Sequence, residues 1–228
     1  MIRKQIEQIK MKLYHGTSSE NLKKIIKDKA LKPRNLVRKS SGNWKKTLSS
    51  NPSMVYLTNC YAVSFGFSAA YQLASNNPNW KADDYDNTFC CVLEIDVSPK
   101  NLYPDEDCLE QVTRQDNDWV EKFQTLNIND MEGRTKYFRD NQEDYKDYWK
   151  ASLDNLGTVA HKGPIHINKI KRVSIIKNEI FFISDPTITL TNYRHLGERY
   201  KKECEELIWT EEYAQEIIKG KNLKKYSN

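Results

Sequence analysis

The sequence predicts an α+β fold, and three observations favour it. Short strand-like runs are interleaved irregularly with helical patterns, without the regular alternation of a doubly wound sheet. The chain has 228 residues, of which 38% are hydrophobic and 11% aromatic, enough for a folded core. No internal repeat and no low-complexity linker divides it. We therefore expect a main domain over residues 1–190 and a C-terminal helical segment over residues 191–228, packed on the same domain.

The first 60 residues predict two short strands separated by a helix and a polar loop. Residues 12–15 predict a strand that Gly16 ends. Ser18 or Ser19 is expected to cap the following helix, whose apolar stripe is Leu22, Ile25 and Ile26. Residues 54–57 predict the second strand, and the Ser- and Gly-containing stretch before it predicts a loop.

The rest of the chain predicts further strands and helices in mixed order. Residues 61–73 indicate a buried helix, and residues 89–97, rich in β-branched and aromatic side chains, indicate the clearest strand. Polar residues 105–149 predict helices in pieces, with Trp119, Phe123 and Leu126 on one face. Residues 157–161 predict a strand, 167–172 a linking segment, and 173–176 with 180–183 a hairpin. Residues 192–221 predict two amphipathic helices, with Leu207 and Ile208 in the apolar stripe.

Charge is distributed unevenly along the chain. Residues 1–50 contain 14 Lys and Arg against 3 Asp and Glu, whereas residues 83–132 contain 3 against 14. Such an asymmetry is typical either of a basic face for an acidic partner or of two segments that pair in the fold. Basic groups beside an aromatic ring suit phosphate contact with base stacking, although the same stretch has loop composition. The candidate nucleic-acid-binding residues are Arg34, Arg38, Lys39, Trp44, Lys45 and Lys46.

Cysteine spacing and hydropathy exclude several classes of protein. The five cysteines include no CxxC pair, so we expect reduced, buried thiols and neither a disulfide framework nor a metal site. No run of 18 apolar residues and no secretory signal pattern is present, so we expect a cytoplasmic protein without a membrane partner. The usual nucleotide-loop, metalloprotease and serine-hydrolase motifs are absent.

The order of three short motifs is the most informative feature of the sequence. Leu13-Tyr14-His15-Gly16-Thr17 ends a predicted strand, Val55-Tyr56-Leu57-Thr58 forms another, and Ser68-Ala69-Ala70-Tyr71 lies in the next predicted helix. This order resembles the His-Tyr branch of the ADP-ribosyltransferase superfamily, which includes poly-ADP-ribose polymerases, RNA 2'-phosphotransferases and bacterial ADP-ribosylating toxins. The resemblance covers residues 12–183 and implies a split β-sheet core with flanking helices.

The resemblance also implies roles for individual residues in binding NAD as a substrate. His15 would hold the ribose, Gly16 would clamp the nicotinamide amide, and Tyr56 and Tyr71 would stack on the nicotinamide ring. Tyr14 and Thr17 complete the predicted NAD-binding strand end. These roles agree with the residue chemistry, because an imidazole can hydrogen-bond a hydroxyl, a glycine permits close backbone approach, and tyrosine rings stack without charge.

In ADP-ribosyl transfer the ribose becomes cationic and the acceptor loses a proton, and a carboxylate usually serves both steps, although the phosphotransferase branch lacks this acid. The polymerases place a Glu at the start of a late strand, which corresponds here to residues 156–158, where no acid stands. Asp154 lies nearest, and His161 lies in the same predicted strand. The compact acidic run at 105–110 supplies the candidates Glu106 and Glu110, unless its acids only favour a helix N-terminus.

The resemblance and the residues together predict an NAD-dependent mono-ADP-ribosyltransferase, a glycosyltransferase that needs no metal. The basic stretch favours RNA or DNA as the acceptor, and the size of the chain resembles toxins of toxin-antitoxin and phage-defence systems, where an antitoxin would be a partner. The alternatives are an RNA 2'-phosphotransferase, a protein-modifying ADP-ribosyltransferase, and a non-catalytic RNA-binding module of the same fold.

Overall fold

The computed structural model describes residues 10–33, 51–60, 89–114, 116–177 and 207–219. It is a mixed α+β structure with antiparallel strands, which confirms the predicted α+β class, while the split β-sheet core implied by the resemblance stays a prediction. The strands are β1 (Met11–Ser18), β2 (Ala30–Leu31), β3 (Met54–Thr58), β4 (Phe89–Val97), β5 (Leu102–Tyr103), β6 (Thr158–Lys162), β7 (Ile165–His166), β8 (Ile170–Lys177) and β9 (Leu207–Ile208). The α-helices are α1 (Ser19–Asp28), α2 (Glu106–Thr113), α3 (Asn117–Thr125), α4 (Met131–Asp140), α5 (Trp149–Leu156) and α6 (Glu211–Ile218).

The chain divides into two compact units, which we describe separately. The first unit comprises the described residues within Met1–Leu31, Thr58–Asn101 and His166–Asn228. The second comprises those within Lys32–Leu57 and Leu102–Ile165. Because β3 ends at Thr58, all of that strand except its last residue belongs to the second unit.

Antiparallel strands in the order β1-β4-β8-β9 form the framework of the first unit. The central strand β4 has the predicted bounds, and its long run of apolar residues is buried as a central strand requires. The Ser18 hydroxyl caps α1 by accepting a hydrogen bond from Asn21 N, and Leu22 lies on the buried face of that helix. The side chains of Cys60, Cys90 and Cys91 are described, and all three are buried thiols as predicted.

Three sequence predictions for the first unit are wrong. Strand β1 does not end at Gly16 but continues to Ser18, because Gly16 pairs with Val92 in an unbroken antiparallel register. Leu207 and Ile208 form a strand, since they pair with Val173 and Arg172 of β8. Residues 167–172 were predicted as a link, but strand β8 already begins at Ile170 and pairs there with β4. Within that stretch only Ile167–Lys169 forms a separate 3-10 turn.

A layer of helices beside a short set of strands forms the second unit, in which β6 lies between β5 and β3. Its core contains Leu109, Phe123, Phe138 and Tyr145, with Trp119 packed against them. The prediction that Leu126 shares the buried face with Trp119 and Phe123 is wrong. Leu126 follows the last residue of α3 and is exposed, because the helix ends before the side chain reaches the core.

Several predicted features lie outside the described residues. They include the helix over 61–73, the second strand of the hairpin over 180–183 and most of the C-terminal pair of helices. Within the last segment, the described helix α6 buries Ala214 and Ile217 and packs against α1. No helix in the described ranges combines the length and the apolarity that crossing a membrane requires.

Candidate functional site

The hydroxyl group of Tyr56 is the centre of the candidate site. Tyr56 is half-buried in the middle of β3, between two buried neighbours. Its hydroxyl donates a hydrogen bond to Glu106 Oε1 at 2.6 Å and accepts one from Asn51 N at 3.2 Å. Burial, followed by the negative charges of Glu106 and Asp105, raises the pKa of Tyr56 above its ordinary value. The phenol therefore remains protonated and serves as a donor to the carboxylate.

A tight turn before β3 fixes the backbone N–H group that faces Tyr56. Asn51 Oδ1 accepts hydrogen bonds from Ser53 N at 3.0 Å and from Ser53 Oγ at 2.7 Å. Met54 N donates to Asn51 O at 3.1 Å, which closes the turn. An Asn side chain that bonds its own backbone two residues on is a common way to stabilise such a turn. The position of the phenol is thus set locally, on the strand that carries it.

Glu106 is the first residue of α2, and its carboxylate is held from two sides. Arg139 of α4 donates to Glu106 Oε1 from Nε at 3.2 Å and from Nη2 at 3.0 Å. Glu106 is only 5% exposed, so its charge needs these partners. An acid in the first turn of a helix is also favoured by the helix dipole. Tyr56 and Arg139 lie 50 and 33 positions from Glu106 in the sequence, and both donate to the same oxygen atom of its carboxylate.

The two oxygens of Glu106 have different environments. All three hydrogen bonds from Tyr56 and Arg139 end on Oε1. Oε2 accepts no hydrogen bond from the part of the chain that the structure describes. A carboxylate that is anchored through one oxygen keeps the other for a cation, a hydroxyl group or a transferable proton.

Glu110, one turn further along α2, has both oxygens occupied. Arg114 donates to Oε1 from Nε at 2.8 Å and to Oε2 from Nη2 at 2.6 Å, a two-pronged ion pair. Arg134 Nη1 lies 3.9 Å from Oε1, and Glu110 is 1% exposed. The hydrogen bonds to Glu110 raise the pKa of Arg114. This arrangement stabilises the contact between α2 and α4 and leaves Glu110 less free than Glu106 to act on a substrate.

The residues predicted to bind NAD from β1 lie consecutively in the first unit. Tyr14 and Thr17 are buried, whereas His15 and Gly16 are half-buried. Their backbone positions are fixed by pairing with β4, where Tyr14 faces Glu94 and His15 faces Leu93. His15 therefore lies within a strand rather than at its end.

The predicted convergence of the NAD-binding residues on one pocket stays a prediction. His15 belongs to the first unit and Tyr56 to the second, and Tyr71 lies outside the described residues. The predicted nucleic-acid-binding residues also lie outside the described ranges. They are Arg34, Arg38, Lys39, Trp44, Lys45 and Lys46.

His161, the other titratable residue considered from the sequence, is buried in β6. Its Nδ1 lies 3.3 Å from Gly163 O, and burial lowers the pKa of the imidazole. Strand β6 begins at Thr158, directly after the helix cap Gly157, so no acid stands at its start.

Sequence reasoning missed two partners of the site. Arg139 stands among scattered arginines in the sequence, and only the packing of α4 on α2 brings it to Glu106. Asn51 carried a signal that could have been used, because Asn51-Pro52-Ser53 is typical of a side-chain-stabilised turn before a strand. Its bond to the Tyr56 hydroxyl, however, depends on the geometry of β3.

Within the described ranges, no group of three or more His, Cys, Asp or Glu side chains is arranged to hold a metal ion. The chain was compared with family models, curated proteins and solved structures, and none of the three comparisons found a match.

Proposed function

We propose that the protein is an NAD-dependent mono-ADP-ribosyltransferase that modifies RNA or DNA, in the manner of a toxin of a toxin-antitoxin or phage-defence system. The observation that supports this proposal most is the hydrogen bond of 2.6 Å between Tyr56 and Glu106. The resemblance implied that Tyr56 contacts nicotinamide, and the expected need for a carboxylate made Glu106 a candidate acid. The two residues are 50 positions apart, and their side chains meet.

The proposed reaction breaks the bond between nicotinamide and ribose and forms a bond between ribose and the acceptor. The electron pair of the broken bond leaves with nicotinamide, and the ribose passes through a cationic, oxocarbenium-like state. Glu106 Oε2 stabilises that positive charge and takes the proton that the acceptor loses. Asp105, whose charge also acts on Tyr56, adds negative charge to the same region. The products are nicotinamide, a proton and the ADP-ribosylated acceptor.

Arg139 and Tyr56 position the proposed acid without reacting. Three hydrogen bonds on Oε1 fix the plane and direction of the Glu106 carboxylate, so that Oε2 is presented in one orientation. In this proposal His15 and Gly16 bind the ribose and the nicotinamide amide, and Tyr71 stacks on the nicotinamide ring. The basic residues between positions 34 and 46 bind the phosphates of the acceptor.

The test is incubation of the full chain with NAD and, separately, with RNA, DNA and a mixture of proteins. Free nicotinamide is measured by chromatography, and addition of one ADP-ribosyl group is measured by mass spectrometry. We expect Glu106→Gln to lower nicotinamide release at least about 100-fold, the size typical of a lost acid or base group. Glu121→Gln, an exposed site on α3, is the matched control and keeps the activity. Absence of nicotinamide release with every acceptor contradicts the proposal.

A second candidate function, RNA 2'-phosphotransfer to NAD, is favoured by one observation. Three arginines surround the two carboxylates of α2, Glu106 and Glu110, which are one helical turn apart. Arg114 and Arg134 lie near Glu110, and Arg139 pairs with Glu106. Such a group of arginines suits a phosphate, although each is shared with Glu106 or Glu110. An RNA oligonucleotide with an internal 2'-phosphate separates the two functions, because only the phosphotransferase removes that phosphate. Modification of protein alone indicates a protein acceptor, and RNA binding without nicotinamide release indicates a non-catalytic module.

A further inference from the structure

An aromatic-walled cavity of about 140 Å3 lies within the second unit, among α2, α3, α4 and α5. Its inner wall includes the buried side chains of Leu109 and Phe138, and Trp119 and Tyr145 form further parts of the lining. The volume is close to the roughly 150 Å3 of an engineered protein cavity that binds benzene. The space is therefore of the size of one six-membered ring.

The aromatic walls hold one another in fixed orientations. The ring of Trp119 lies 5.2 Å from that of Phe138 and 5.5 Å from that of Tyr145, in tilted contacts. Tyr148 is 47% exposed, and its ring lies 6.1 Å from Tyr145 in an edge-to-face contact. A large exposed aromatic side chain on the lining of a cavity with buried aromatic walls is typical of a ligand site, because a packing void has no such opening to solvent.

The polar groups of the lining differ between the inside and the mouth. Inside, the Ser152 hydroxyl already donates to Thr158 O and accepts from Asp105 N. At the mouth, Asp116 and Asn155 are exposed. The amide of Asn155 can both donate and accept, whereas Asp116 Oδ1 already accepts from Asp118 N and Trp119 N and only its Oδ2 is left to accept. The cavity thus offers flat apolar contact within and hydrogen-bonding groups at one edge.

We propose that this cavity binds a single heteroaromatic ring that carries carbonyl and amino or amide groups, a chemistry shared by pyrimidine bases and nicotinamide. The ring enters past Tyr148 and contacts Trp119, and its polar edge hydrogen-bonds Asn155 at the mouth. The inference does not depend on the proposed transferase function, since none of Tyr56, Glu106 and Arg139 lines the cavity.

Saturation-transfer NMR with the full chain tests the site, with cytidine, uridine and nicotinamide as separate probes. Fragments of this size bind weakly, so each probe is titrated to about 10 mM. Ala151→Trp fills the mouth from an exposed position on α5. Lys150→Trp places the same indole one residue earlier, at an exposed position that does not line the cavity. We expect binding that Ala151→Trp weakens at least about tenfold and Lys150→Trp leaves unchanged, a difference larger than ordinary surface effects.

Asn155→Ala is the second variant, which removes the hydrogen-bonding edge without filling space, and we expect it to weaken the same probe. Circular dichroism establishes that each variant is folded. Binding of the nucleosides alone identifies a nucleic-acid base as the natural ring, and binding of nicotinamide alone identifies an NAD-derived ring. The proposal is overturned if none of the probes binds, or if Ala151→Trp binds as tightly as the wild type. Nicotinamide release from NAD is measured separately, so failure of the transferase proposal is distinguishable from failure of the ring site.

Discussion

Removal of one hydroxyl group, in Tyr56→Phe, tests whether the bond between Tyr56 and Glu106 stabilises the fold as well as the site. A hydrogen bond to a charged group contributes about 1.5–3 kcal/mol. The lower half of that range applies here, because Arg139 still pairs with Glu106 in the variant. The N–H group of the buried residue Asn51 also loses this acceptor, which costs about 1 kcal/mol.

The two contributions together predict that Tyr56→Phe lowers the free energy of unfolding by about 2.5–3 kcal/mol. With a urea slope of about 2.5 kcal/mol/M, the midpoint of unfolding falls by about 1 M. Tyr148→Phe is the control, because Tyr148 is 47% exposed and the change is expected to cost less than about 0.5 kcal/mol.

A double-mutant cycle separates the specific bond from general loss of packing. Tyr56→Phe, Glu106→Gln and the double variant are unfolded in urea under the same conditions. Because the two side chains share a bond of 2.6 Å, the losses should be non-additive by at least about 1 kcal/mol. Additive losses, or a midpoint for Tyr56→Phe equal to that of Tyr148→Phe, refute the reasoning that this bond organises the site.

Other predictions concern pH, capping and the core. The folded pKa of Tyr56 is raised, so the stability linked to its proton is present below the unfolded pKa of about 10 and is lost as the pH rises further. In a plot of urea midpoint against pH, Tyr56→Phe should therefore flatten the alkaline side. Parallel alkaline slopes for the variant and the wild type would contradict this. The folded pKa of His161 is lowered, so the contribution of its neutral form to stability is present above about pH 6.5 and is lost as the pH falls through the folded pKa. His161→Gln should flatten the acid side of the same plot. An unchanged acid slope would argue against this. Ser18→Ala removes the cap of α1 and should cost about 1 kcal/mol in thermal or urea unfolding, unlike Lys24→Ala at an exposed position of the same helix. Leu93→Ala, at a fully buried position in β4, should cost about 2–5 kcal/mol, and a loss below 1 kcal/mol would show that the strand is not central.

Elements whose formation depends on local chemistry were predictable from the sequence. Helix α1 begins where a serine can cap it, and its apolar spacing decides the buried face. Strand β4 has an apolar run over 89–93 followed by alternating polar and apolar residues, and polar residues flank it, so its bounds were predicted to the residue. For α1 the decisive interactions lie within a few residues of each other, whereas β4 pairs with the distant strands β1 and β8 and was predictable from its residue pattern.

Two elements whose extent depends on a distant partner were predicted wrongly. The local preference of Gly16 predicts the end of a strand. Eight consecutive residue pairs between β1 and β4 nevertheless extend β1 past Gly16 to Ser18. Leu207 and Ile208 fit a helical period, yet β8 offers them free backbone groups to pair with. The period of a short apolar pattern cannot distinguish these outcomes, because the backbone hydrogen bonds come from another part of the chain.

The candidate site shows the same division. The sequence alone nominated Tyr56 and Glu106, the first by its motif and the second by its place in an acidic run. Only the tertiary structure joined them at 2.6 Å, added Arg139 to the same oxygen and left Oε2 without a partner among the described residues. The sequence determines which side chains are present. The orientation and the partners of a charged side chain depend on which helices and strands pack together.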